Sequence, residues 1–106
     1  SSRMDSPQQI TIDHETAGQD GRFVYRAEGA EAELTYAEAP AVGGVRRVSA
    51  DHTYVPDSMR GQGIAGKLVD TLIDTARAQG WKVIPRCSYV VAAFQRHPEW
   101  KDVLAD

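Results

Sequence analysis

At 106 residues, 42% of them hydrophobic and 25% charged, the chain has the composition of one ordinary globular domain spanning 1–106. A formal charge of −3 excludes the basic profile of a dedicated nucleic-acid binder. No apolar run nears the roughly 18 residues of a membrane span, and the single cysteine, Cys87, cannot close an internal disulfide, so a reducing cytoplasm is the expected compartment.

Ser1-Ser2-Arg3 ahead of Met4 reads as a remnant before the native start, and residues 1–5 are expected to lie outside the folded part. Gln8 to Asp13 is a short candidate strand. Arg22–Ala27 and Ala30–Tyr36 flank Glu28-Gly29, a hairpin signal. In the second of these, Ala30, Ala32, Leu34 and Tyr36 alternate with Glu31, Glu33 and Thr35, which predicts one buried face. Pro40–Gly44 reads as a turn and Val45–Val55 as a long strand. That strand carries Val48, Ala50, His52 and Tyr54 on one side, provided that no bulge shifts the register.

From Ile64 the period changes. Ile64, Leu68, Leu72 and Ala76, flanked by Ala65, Val69 and Ile73, form one apolar stripe, so an amphipathic helix is predicted, ended by Gly80. Trp81–Pro85 is then a short strand and Ser88–Gln95 a helix, and Pro98 can open a last helical turn through Trp100 and Leu104. The predicted fold class is α/β (α+β), a mixed, mostly antiparallel sheet packed by two to three helices.

Between the long strand and the first helix lies RGQGIAGKL, Arg60 to Leu68, which fits three phosphate-binding patterns. As Gly61-x-Gly63-x-x-Gly66 it is a dinucleotide fingerprint, but Pro56–Arg60 separates it from the strand, and no acidic residue stands between Asp74 and Glu99 to hold a ribose. As Gly61 to Gly66-Lys67 it is nearly a P-loop, yet Leu68 stands where a hydroxyl must bind Mg²⁺. As Arg60-x-x-Gly63-x-Ala65 it matches the R/Q-x-x-G-x-G/A signature of acetyl-coenzyme A binding. No Ser, Thr, Asp or Asn directly precedes the helix to cap its first N–H groups, which leaves those donors for a diphosphate. The plainer alternative is a glycine-rich turn with water on the same donors.

Four stretches in register, His52-Thr53-Tyr54-Val55-Pro56, Arg60–Ala65, Pro85-Arg86-Cys87-Ser88-Tyr89-Val90 and His97-Pro98-Glu99-Trp100, resemble the small single-domain members of the GNAT superfamily of N-acetyltransferases. The resemblance covers about half the chain by identity and nearly all of it by order of elements, and the early helices and last strands of full-length members are expected to be absent from the chain. It implies a minimal GNAT fold in which the strand ending at Val55 splays from that ending at Pro85 and the pantetheine arm of coenzyme A lies in the opening. Backbone groups at Tyr54 and Val55 would meet the pantetheine, and Arg60, Gly61, Gln62, Gly63, Ile64 and Ala65 the pyrophosphate. Arg86 or Lys67 would meet the 3′-phosphate.

Acetyl transfer to an amine needs an activated thioester, a base and an acid for the departing thiolate. Cys87 lies between a strand and a helix N-terminus, where thiols become acidic and nucleophilic, so it is the first candidate, as acyl carrier or as base; the alternative is a small packed residue. His52 is a candidate base, as the side-chain type that ordinarily exchanges protons near neutral pH, or a hydrogen-bonded core residue. Tyr89 is a candidate acid by the resemblance, or an aromatic wedge against the sheet. His14 and His97 are given no role. The implied activity is acetyl-coenzyme A-dependent N-acetylation of a primary amine, such as a lysine side chain or a small molecule, by a monomer or weak dimer without metal. The competing expectation is a module that binds coenzyme A or acyl-coenzyme A without turnover, as a sensor would.

Overall fold

The structure, a computed structural model, describes residues 10–105. Five strands form one sheet in the order β1 (Asp13–Ala17), β2 (Asp20–Ala27), β3 (Ala30–Val42), β4 (Val45–Tyr54), β5 (Lys82–Pro85). The first four pair antiparallel and β4 pairs parallel with β5, which requires a crossover. That crossover is helix α1 (Ile64–Gln79), and helix α2 (Ser88–Arg96) follows β5. A mixed sheet packed by helices is the predicted fold class.

The first strand departs from the sequence prediction. Gln8 and Gln9 lie outside the described residues, Ile10–Ile12 is not strand, and β1 is instead the polar Asp13–Ala17. A tight turn with Gly18 at φ 64° places Ala17 opposite Asp20, and turn geometry sets register more firmly than apolar content. Ile10 and Ile12 pack on the core without joining the ladder. The Glu28-Gly29 hairpin forms as predicted, with both residues at positive φ. The turn expected over 40–44 shrinks to Gly43-Gly44, and β3 runs on through Pro40. Proline is accommodated because the β3–β4 pairing is irregular between Ala39 and Val42, where no ladder N–H is required of it.

Helix α1 buries Ile64, Leu68, Val69, Leu72, Ile73 and Ala76, the predicted stripe, in one core with Phe23, Leu34, Val48 and Val83 of the sheet. Gly80 ends it in the left-handed conformation. Helix α2 adds Val90, Ala93 and Phe94 to the same core, and Trp100, in the 3₁₀ turn Pro98–Val103, packs edge-on against Phe94. Alternate residues of β1–β3 point to the other sheet face. There Arg22 and Arg26 tie Glu15, Glu31 and Glu33 into an ion-pair network beside the fully buried Val24.

Gly21 lies opposite Tyr36, and a Cβ there would stand 2.5 Å from the tyrosine oxygen and 2.9 Å from the Glu15 carbonyl. The ring cannot swing away, because it packs among Phe23 and Trp81 and shares a 2.6 Å hydrogen bond with His14. Gly21→Ala is therefore expected to cost about 1–3 kcal/mol of stability through overpacking. Urea unfolding measures this, and an unchanged midpoint contradicts the close approach.

Candidate active site

Two places where regular pairing stops build the site. The first is the start of α1. Gly61 and Gly63 take positive φ, 82° and 75°, so the chain turns sharply into the helix with no side chain capping it. The earliest α1 amide to bond backwards is that of Lys67, to the Gly63 carbonyl at 3.1 Å. The N–H groups of Ile64, Ala65 and Gly66 thus have no partner within the helix, and they sit at the positive end of its dipole.

The second place is the divergence of β4 from β5. Pairing between them ends at Ala50 opposite Pro85, and the Ala50 carbonyl accepts the N–H groups of both Arg86 and Cys87. Beyond that point β5 turns into α2 while β4 continues along β3 to Tyr54, so one edge of β4 is left open. Proline at the last paired position suits a ladder that stops there.

A bulge in β4 falls at the divergence. Thr35 pairs with His52 and Tyr36 with Ala50, so Asp51 is an extra residue. The alternation beyond it is reversed, which corrects the predicted grouping of His52 and Tyr54 with Val48 and Ala50. Val48 and Ala50 are buried, whereas His52 is exposed and Tyr54 is 56% exposed. In the cross-strand rows His52 shares its face with Thr35, Arg22 and Glu15, and Thr53 shares the core face with Leu34 and Phe23. Among the described residues no hydrogen bond joins His52 to Cys87.

A cavity of about 400 Å³ joins the two places. Thr53 and Val55 of the β4 end, Gly61, Gly63 and Gly66 of the loop and first helical turn, and Tyr89 of α2 line it. Arg60, Ile64 and Ala65 also border it. Tyr89 spans it from the opposite helix, since a Cβ on Gly66 would lie 3.9 Å from the tyrosine oxygen. Arg60 is 70% exposed at its side chain and pairs with Asp57 at 3.2 Å. Gln62 points elsewhere, its amide nitrogen donating to the Ser58 carbonyl. Tyr54, Arg86 and Lys67 do not line the cavity: Tyr54 is on the wrong phase of the strand, and Arg86 and Lys67 are exposed.

Cys87 occupies the N-cap position of α2, half-buried, with its sulfur 3.5 Å from the Thr53 hydroxyl. Burial pushes the thiol pKa up. The Thr53 hydroxyl and the N–H groups of Val90, Tyr89 and Thr53 more than offset it, leaving the thiol below its ordinary value. The α2 amides approach the sulfur without completing a capping hydrogen bond. Thr53 is the residue that sequence reasoning missed. It stands inside the His52–Pro56 stretch, but its inward placement depends on the bulge.

A family model described as GCN5-related N-acetyl-transferase matches residues 22–103, from β2 through the final 3₁₀ turn. The chain belongs to this family. Among solved structures, the GCN5-related fold here is similar to a ribosomal-protein-alanine N-acetyltransferase from Brucella melitensis biovar Abortus 2308, at 28% identity and a TM-score of 0.59. That match covers 83% of this chain and 64% of the Brucella chain, so the present chain spans less than two thirds of that relative. It is also similar to a GCN5-like protein from Staphylococcus aureus, at 25% identity and a TM-score of 0.63, over 88% of this chain and 87% of that one. Among the described residues no helix is long and apolar enough to cross a membrane, and no cluster of three or more His, Cys, Asp or Glu residues could hold a metal ion.

Proposed function

We propose that this chain binds acetyl-coenzyme A in the cavity at the start of α1 and transfers the acetyl group to a primary amine. The observation that carries this reading is the continuity of one cavity from the unpaired amides of α1 to Thr53 and Tyr89; Cys87 does not line it, but its sulfur lies 3.5 Å from the Thr53 hydroxyl. Three free N–H groups, two glycines at positive φ and the helix dipole fit a diphosphate, and Arg60 adds a charge at the rim. The open edge of β4 offers unpaired peptide groups along which an extended pantetheine can hydrogen-bond.

Acetyl transfer moves the acyl carbon from sulfur to nitrogen, so the amine loses a proton and the departing thiolate gains one. Tyr89, whose side chain borders the cavity, is the candidate acid for that thiolate. Cys87 is the candidate base, or the nucleophile that takes the acetyl group first and passes it to the amine. The net charge of −3 favours a cationic acceptor such as a lysine side chain or a polyamine. Cytoplasmic residence belongs to this same proposal, as does action by a monomer or weak dimer.

Coenzyme A at millimolar concentration is expected to raise the melting temperature, as any ligand selective for the native state must. A protein whose melting is indifferent to coenzyme A but responds to NADPH or ATP would overturn the reading. A second reading is coenzyme A binding without turnover. Coenzyme A-induced stabilisation with no acetyl-amine product on any lysine peptide or polyamine tested favours it.

A further inference from the structure

We infer that Thr53, not His52, is the positioning residue for Cys87: the bulge at Asp51 turns the Thr53 hydroxyl onto the sulfur and sends His52 to the opposite face. The inference rests on the reading of Cys87 as the reacting thiol of the proposed transfer. Without the extra residue, strict alternation from Val48 and Ala50 would bring His52 inward and put Thr53 outside. With it, Thr53 shares the core face with Leu34, Phe23 and His14. Because β5 has already left the sheet at Pro85, no strand among the described residues pairs with β4 at Thr53 on that side, and Cys87 at the start of α2 lies against it.

The contact works in both protonation states. As a thiol, Cys87 donates to the Thr53 oxygen across 3.5 Å. As a thiolate, the sulfur accepts from the hydroxyl, which rotates at no steric cost. Against the burial that raises the thiol pKa, the largest lowering influence is the Thr53 hydroxyl, ahead of the backbone amides of Val90, Tyr89 and Thr53. Among those groups only the Thr53 hydroxyl belongs to a side chain, and it is the one in hydrogen-bond contact with the sulfur. Its β-branched side chain has few rotamers, which keeps the hydroxyl aimed. Thr53 also lines the cavity, whereas Cys87 does not, so Thr53 links the sulfur to the proposed coenzyme A site.

The test is the pH dependence of Cys87 alkylation by iodoacetamide in the folded protein, which requires neither coenzyme A nor an acceptor. Thr53→Val keeps the shape and removes the hydroxyl, and it is expected to move the alkylation midpoint upward. The rate at neutral pH should fall by about three- to tenfold, the loss of thiolate being partly offset by its higher intrinsic nucleophilicity. Thr53→Ser restores the hydroxyl and should restore the midpoint, whereas His52→Ala should leave it in place. If Thr53→Val fails to fold, Thr53→Ala and Thr53→Ser make the same comparison. An unchanged midpoint in a folded hydroxyl-free variant overturns the inference, and so does a shift in His52→Ala as large as in Thr53→Val. Failure of the transfer reading appears separately, as absent coenzyme A-induced stabilisation in the unaltered protein, whatever the alkylation profiles show.

Discussion

Replacing Cys87 by alanine is expected to lower acetyl transfer by about a hundredfold or more, the scale for losing a positioned base or nucleophile, while the coenzyme A-induced rise in melting temperature persists. The two readouts separate because the sulfur and the α1 amides belong to different parts of the site. Cys87 is half-buried and small, so alanine leaves a modest void, and the Arg86 and Cys87 backbone bonds to Ala50 do not depend on the side chain. Cys87→Ser is the stricter comparison. Serine keeps the size and the Thr53 contact but has no accessible anion near neutrality, so transfer should fall nearly as far. In the unaltered protein the thiol pKa is held below its ordinary value. The reactive thiolate therefore accumulates as pH rises through that lowered value, and activity should climb over the same range. A covalent acetyl group on Cys87 after incubation with acetyl-coenzyme A, cleared by an accepting amine, identifies the nucleophilic route. Its absence together with the activity loss identifies the base. Full turnover in both variants leaves direct attack by the amine and makes Cys87 a packing residue.

Gly63→Val is expected to abolish the coenzyme A-induced stabilisation altogether, which at a ligand concentration one hundred times Kd amounts to about 2.7 kcal/mol. At φ 75° a β-branched residue carries backbone strain of about 1–3 kcal/mol. Relieving it requires the loop to change shape and the Ile64–Gly66 amides to point elsewhere. If the loop holds, the valine side chain stands at a position that lines the cavity. Both outcomes remove the proposed diphosphate site. Gly18→Val supplies the control, since Gly18 has a similar φ of 64° with nothing within 4 Å of an added Cβ, but lies in the β1–β2 turn. It should lower the melting temperature and leave the coenzyme A increment intact. Equal increments in Gly63→Val and the unaltered protein would remove the loop from the site.

Wherever a local signal was strong, it was legible in the sequence. The α1 stripe, its end at Gly80, the Glu28-Gly29 hairpin and the uncapped glycine start at Gly63 each depend on periodicity or on a conformation that one residue type favours. The same locality made the sharp turn at Gly61 and Gly63 readable, because it depends on the backbone of consecutive residues. Tertiary pairing decided what local signals could not. The Gly18 turn set the register of β1 and carried the strand into polar residues, past Ile10 and Ile12. Above all, a single extra residue at Asp51 reversed the alternation of β4, a consequence of how β3 and β4 pair that no side-chain pattern announces. That bulge placed Thr53 beside Cys87 and His52 on the far face, because inward and outward positions on a strand differ by one residue and only the pairing partner counts them.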